Sequence, residues 1–149
     1  MTLLILGLLL APKIPPDLVE IYRAANRAWA PYVAPVDEVK WCEEDCPEVM
    51  QEKELLGLCR PRPEGITIYL RYSGTYGRAL GFSREEGLRL TMIHELGHAL
   101  GLDDSNVPGS IMNPDWRQPV ALGPTEGDFQ ALAKINTHYP HPVFDKSPR

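Results

Sequence analysis

The most constraining feature of this sequence is a helix predicted to run from Ser83 to about Leu100. Ser83 is a good N-cap, and two glutamates follow in the first turn, where carboxylates meet the positive end of the helix dipole. Residues at three- and four-residue steps predict a core face formed by Leu88, Met92, Ile93, Leu96, Ala99 and Leu100. A second stripe is small apart from two histidines, and is predicted to line a cleft: Gly87, Thr91, His94, His98 and Gly101.

The two histidines of this stripe predict a metal site. His94 and His98 are one helical turn apart, so both imidazoles can reach one zinc ion at about 2.0–2.1 Å. Glu95 is rotated away from the metal and is predicted to act as general base on the water beside it. Gly101 is predicted to end the helix in the left-handed conformation, after which Asp104 can turn back as the third ligand.

Other residues compete for these roles. Asp103 is predicted to be a solvated neighbour, although it could exchange roles with Asp104. Glu126 is an alternative third ligand, but its position fits the first turn of a helix better. His138 and His141 lie near the end of that helix and are the weakest candidates for metal ligands.

The residues from His94 to Trp116 resemble the metzincin metalloproteases, and among these most closely the matrixins. The family pattern is H-E-x-x-H-x-x-G-x-x-H followed by a turn containing methionine, which Met112 matches here. Asp104 departs from the pattern because matrixins have histidine at that position. Small bacterial proteases of the snapalysin type carry aspartate there.

This resemblance implies an α+β fold with a twisted mixed sheet of about four to five strands and three main helices. One antiparallel edge strand would lie above the cleft, and a peptide substrate would pair with it at Ala79, Leu80 and Gly81. Met112 would form a hydrophobic floor beneath the metal. Pro114 and Trp116 would line the pocket for the residue that follows the cleaved bond.

The remaining sequence predicts the other elements of a single domain over residues 1–149. Strands are predicted at 3–10, 36–41, 66–72 and 78–83, and helices at 16–30 and from Thr125 to before Pro140. Thr125 and Asp128 form a capping-box-like start for the last helix. Residues 42–64 are predicted to be a loop with a short helix between Pro47 and Leu56.

Composition restricts the partners and the location. The net charge of −5 argues against a nucleic-acid or anionic-membrane partner, since both need a basic face. Residues 1–11 are apolar but lack a preceding Lys or Arg, so a buried strand and a cytoplasmic protein are expected. The alternative is a signal peptide and a secreted protein. We expect a monomer that acts on peptides or proteins.

The three cysteines do not form the pattern of a disulfide framework or of a structural zinc site. They are predicted to be thiols, and a bridge from Cys42 or Cys46 to Cys59 is the alternative. The function predicted from the whole sequence is a zinc-dependent endopeptidase with one catalytic ion. The alternative is a non-catalytic or autoinhibited metal-binding module.

Overall fold

The computed structural model describes residues 11–43, 46–53, 55–72, 81–115, 117–118 and 121–138. These residues form an α+β structure with four α-helices and a three-stranded mixed sheet. In chain order the elements are a 3₁₀ turn at Pro16–Leu18, α1 Val19–Ala28, β1 Glu38–Trp41, α2 Glu48–Glu52, β2 Gly57–Arg62, β3 Gly65–Leu70, α3 Arg84–Ala99 and α4 Glu126–His138. Within these ranges no helix is long and apolar enough to cross a membrane.

Helices α1 and α3 pack against each other and form the centre of the core. The apolar face predicted for α3 is buried along its whole length, as expected from its periodicity. Trp29, directly after α1, is fully buried, and its indole N–H donates to the carbonyl of Ile93 at 2.8 Å. This bond satisfies a polar atom in an apolar region and fixes the distance between the two helices.

The sheet has the strand order β1-β3-β2, with β1 parallel and β2 antiparallel to β3. Ile68 and Leu70 of β3 are fully buried in the main core. Lys13 also forms a single parallel bridge with Glu38, on the other side of β1 from β3. Among the described residues β2 is therefore the antiparallel strand at one side of the sheet.

Strand β2 corrects the prediction that residues 42–64 are a loop with one short helix. The short helix exists as α2, but Gly57–Arg62 pairs with β3 over six residues. The described residues form three strands, fewer than the four to five expected. The predicted strand 3–10 lies outside the described residues, and of the predicted strand 78–83 only 81–83 is described, without strand structure.

The cysteines also differ from prediction. Cys42 and Cys46 form a disulfide, and Cys59 is free. Both the expectation of three thiols and the alternative of a bridge to Cys59 are wrong. Cys42 and Cys46 lie in a small second core cluster around Met50 and Tyr69, whereas Cys59 packs against the main core.

Candidate metal centre

Helix α3 is fixed at both ends by the signals that its sequence carries. Ser83 and Glu86 form a capping box, in which each side chain bonds the backbone N–H of the other residue. At the other end, Gly101 has a φ of +104° and its N–H bonds the carbonyl of His98 at 2.9 Å. The N–H of Leu102 bonds the carbonyl of Gly97 at 3.0 Å, which completes a Schellman motif.

This helix end orients one of the two histidines. The chain turns at Gly101 so that the carbonyl of Leu102 accepts from Nδ1 of His98 at 2.8 Å. In the same way, Nδ1 of His94 donates to the carbonyl of Ile111 at 2.8 Å. Because a carbonyl oxygen only accepts, both Nδ1 atoms carry the proton, and each neutral imidazole presents a lone pair at Nε2.

The two Nε2 atoms face each other and one carboxylate oxygen. They are 3.0 Å apart, and Asp104 Oδ1 lies 3.4 Å from Nε2 of His94 and 3.1 Å from Nε2 of His98. Two ligand atoms bound to one tetrahedral zinc ion at about 2.0–2.1 Å would be separated by about 3.3–3.4 Å. These three side chains are the group that could hold a metal ion among the described residues.

When both Nε2 atoms are unprotonated, three acceptors lie at this spacing and repel one another. In the metal-free protein a proton on Nε2 of His94, donated to Asp104, relieves this repulsion and accounts for the pKa shifts of the two residues. Burial acts to lower the pKa of His94, but Asp104, Glu95 and the Ile111 carbonyl outweigh it and raise the pKa above 6.5. The hydrogen bond to His94 holds the pKa of Asp104 below 3.8. A cation is therefore favoured at this point, and the donor set of two imidazoles and one carboxylate fits zinc.

Glu95 lies beside this group in a different environment. Only 5% of the residue is exposed, and burial raises the pKa of its carboxyl group. The histidine charges and the backbone N–H of Cys59 lower this pKa, but less than burial raises it. Glu95 is outside the metal-ligand group, as the sequence predicts for a general base next to a ligand.

A cavity of about 660 Å³ opens beside the histidines and lies between two walls. The helix wall consists of the α3 residues from Leu90 to His98 and the loop from Gly101 to Pro114. The strand wall consists of Leu55, Leu56 and β2. Residues from both walls line the cavity, including Thr91, His94 and Glu95 on one side and Gly57, Cys59 and Pro61 on the other.

The loop containing Met112 is held from below by α4. Ser110 donates to Asp128 at 2.6 Å and accepts from the N–H of Met112 at 3.0 Å. Asp128 also accepts from the N–H of Thr125 at 2.8 Å, which confirms the reciprocal cap with aspartate at N3. Met112 is buried and its sulfur contacts the backbone at Gly97, where no side chain could fit.

The remaining predicted site residues lie at the rim of the cavity, away from the metal-ligand group, or outside the described residues. Asp103 and Pro114 are exposed and line the cavity, and neither Asp103 nor Glu126 belongs to the metal-ligand group. Gly81 is in a turn with a φ of +80°. Four predicted residues lie outside the described residues, namely Ala79, Leu80, Trp116 and His141, and of His138 only the backbone is described.

The strand wall was not predicted from the sequence. The two-residue turn before Gly65 is a hairpin signal, but the residues of β2 have low strand propensity and include a proline.

The family model described as matrixin matches residues 24–137, which include both walls of the cavity. No solved structure matches this chain. The match covers more than half of the sequence, and the chain therefore belongs to the matrixin family of metallopeptidases.

Proposed function

We propose that this protein is a zinc-dependent endopeptidase. The observation that supports this most strongly is the convergence of three ligand atoms, each with its proton-free lone pair directed at the same point. His94, His98 and Asp104 would hold the ion. When bound, zinc would polarise the scissile carbonyl and lower the pKa of water towards about 7.

Glu95 is the general base in this proposal. Its buried carboxyl group, with a raised pKa, is suited to accept a proton from the attacking water. The water oxygen forms a bond to the carbonyl carbon, and the C–N bond then breaks. Glu95 returns the proton to the leaving nitrogen, so that the products are one carboxyl and one amino terminus.

The substrate would lie in the cavity between the helix wall and the strand wall. An extended peptide can pair through main-chain hydrogen bonds with the open side of β2, the side facing away from β3 on which no described strand pairs. Pro114, at the rim of the cavity, and Trp116 are proposed to line the pocket for the residue after the cleaved bond. Ala79, Leu80 and Gly81 remain candidates for a second substrate contact.

Location and assembly are also proposals. We propose a monomer with peptide or protein substrates and without nucleic-acid or membrane partners. The cytoplasmic location expected from a strand at 3–10 stays a proposal, because these residues lie outside the described ones. The Cys42–Cys46 disulfide favours the secreted alternative, since such bonds persist in oxidising compartments.

The substitution Glu95→Ala tests the mechanism. We expect zinc content to be unchanged and kcat/KM for a quenched peptide library to fall about 100- to 10,000-fold, the usual contribution of a general base. Glu85→Ala is a matched control, because Glu85 is exposed in the first turn of the same helix. Unchanged activity in Glu95→Ala would overturn the assignment of the base.

Activity of the wild-type protein separates the two candidate functions. Metal analysis gives the zinc content, and cleavage of casein with and without a chelator gives the metal dependence of hydrolysis. Chelator-sensitive cleavage supports the endopeptidase. Bound zinc without cleavage would instead support the non-catalytic metal-binding module.

A further inference from the structure

Gly57, in the strand wall, lies directly against the side chain of Glu95. A Cβ atom at this position would be 2.7 Å from Oε1 of Glu95, 2.9 Å from its Cγ and 2.8 Å from Cγ2 of Thr91. All three distances are shorter than van der Waals contact. Gly57 is not among the described glycines with positive φ, so the available space, not the backbone conformation, requires glycine here.

The two side chains that a Cβ atom at residue 57 would meet differ in how far they can move. Thr91 is buried one turn earlier on α3, and its hydroxyl donates to the carbonyl of Gly87 at 2.9 Å. A methyl group at residue 57 would therefore meet one fixed side chain and one flexible side chain. Because Glu95 is the flexible one, its carboxylate would be displaced.

The register of β2 brings its main chain to the same carboxylate. The N–H of Arg71 bonds the carbonyl of Leu56 at 2.8 Å, so Leu56 directs its main-chain groups at β3. Hydrogen bonding alternates along an antiparallel strand, and Gly57 and Cys59 therefore direct theirs away from β3. The backbone N–H of Cys59 acts to lower the pKa of Glu95, although burial raises this pKa by more.

We propose that Gly57 is a positioning residue for Glu95. The missing side chain at this point of β2 creates the space in which the carboxylate lies, between Thr91 and the main chain of Cys59. This inference rests on the proposed role of Glu95 as general base. It means that the strand wall contributes to catalysis as well as to substrate binding.

The substitution Gly57→Ala tests the kinetic consequence. We expect kcat to fall about 10- to 100-fold, since small displacements of a catalytic group have effects of this size. Zinc affinity should change less than about twofold, because none of the three atoms nearest the added Cβ belongs to a metal ligand. KM should also change less than about twofold, because the substitution leaves the main chain of β2 in place. Gly123→Ala is a matched control with no atom within 4 Å of the added Cβ, and should leave kcat unchanged.

A double-mutant cycle tests the contact itself without relying on activity. Gly57→Ala should lower Tm by at least about 4 °C in the wild-type background and by less than half as much in Glu95→Ala, because two of the three close contacts are then absent. Equal Tm losses in both backgrounds would overturn the proposal, as would kcat of Gly57→Ala within twofold of wild type.

The two experiments also separate this inference from the proposed function. If the wild-type protein hydrolyses no peptide, the endopeptidase assignment fails, while the cycle still reports whether residue 57 and Glu95 are in contact. If Gly57→Ala folds too poorly for kinetics, the same contact can be tested by whether a second substitution rescues folding. Glu95→Ala must then restore folding to the Gly57→Ala chain, and a failure to do so would contradict the inference.

Discussion

The helix wall and the strand wall of the cavity are built in different ways. The helix wall comes from one stretch of chain, residues 90–114, and bonds within that stretch hold its parts, such as those from His94 to Ile111 and from His98 to Leu102. The strand wall is held by pairing with β3 and by contact with α3, which follows about thirty residues later. The chemical groups are therefore encoded locally, whereas the space around them depends on tertiary structure.

The largest expected effect is at Asp104, in the loop of the helix wall. Asp104→Ala leaves two protein ligands for zinc, where a catalytic site needs three. We expect zinc affinity, measured by competition with a chromophoric chelator, to fall more than about 100-fold, since even loss of a residue that only supports a ligand costs 10- to 100-fold. Peptidase activity should fall with it.

Two further variants sharpen this prediction. Asp103→Ala changes an adjacent, exposed carboxylate outside the ligand group, and should alter zinc affinity less than twofold. Asp104→His introduces the residue that the matrixin pattern has at this position and should retain zinc. If Asp103→Ala lost zinc and Asp104→Ala did not, the two aspartates would have exchanged the roles assigned here.

A smaller effect is expected where the helix wall rests on α4. Ser110→Ala removes both the bond to Asp128 and the acceptor for the N–H of Met112, in a buried region. An unpaired buried polar group costs about 1–3 kcal/mol, and we expect the free energy of unfolding in urea to decrease by this amount.

Ser105→Ala is the matched control for Ser110. Its hydroxyl accepts from the N–H of Val107 at 3.2 Å at a partly exposed position, so water can replace the bond. The free energy of unfolding should then change by less than about 0.5 kcal/mol, as at most surface sites. Equal decreases in the free energy of unfolding would show that the Ser110 hydroxyl stabilises the loop no more than the Ser105 hydroxyl does.

The pKa of His94, in the helix wall, also determines how zinc binding depends on pH. The pKa of His94 is raised above 6.5, with Asp104 and Glu95 outweighing the effect of burial, so the metal-free site holds a proton that zinc must displace. Zinc affinity should fall about tenfold for each pH unit below this pKa. Titration with zinc at several pH values measures the slope.

The metal-free protein should respond to pH in the opposite sense. A raised histidine pKa contributes stability at pH values below 6.5, and this is lost as pH rises through the folded-state pKa. The lowered pKa of Asp104 contributes stability above 3.8, which is lost as pH falls through the folded-state value. Between these limits Tm in chelator should be highest. A zinc-induced rise in Tm that did not depend on pH would contradict this account.

The difference between the walls also explains what could be predicted from sequence. Ser83, Gly101 and the pair Thr125 and Asp128 carry local signals, because caps and left-handed turns depend on residues within one helical turn. Both ends of α3 and the start of α4 were therefore predicted correctly, and so was the grouping of Asp104 with the two histidines.

Strand β2 was missed because its residues have low strand propensity. Its sequence, GLCRPR, has one large apolar residue, Leu58, and a proline, which usually indicates an edge position or no strand at all. What makes it a strand is its partner β3, with the turn at Pro63–Glu64 and Gly65 at a φ of +145°. The disulfide could not be assigned because three cysteines allow several pairings.

The smallest predicted effect concerns the far end of the strand wall, at Pro61. Ile66, its partner on β3, directs its N–H to Asp37 at 2.8 Å and accepts from the N–H of Asp37 at 2.9 Å. Pro61 and Ile66 are therefore a non-hydrogen-bonded pair, and the main chain of Pro61 faces the open side of β2. A substrate strand lying there finds a carbonyl acceptor but no N–H donor.

Pro61→Ala would supply this donor. One neutral hydrogen bond contributes about 0.5–1.5 kcal/mol net, so KM should fall roughly two- to tenfold for peptides long enough to reach residue 61. Short peptides should be unaffected. Pro63→Ala changes an exposed proline in the adjacent turn and should not alter KM for either length. If long and short peptides responded equally to Pro61→Ala, the substrate would not lie along this end of β2, and the role of the strand wall would be confined to Gly57 and its contact with Glu95.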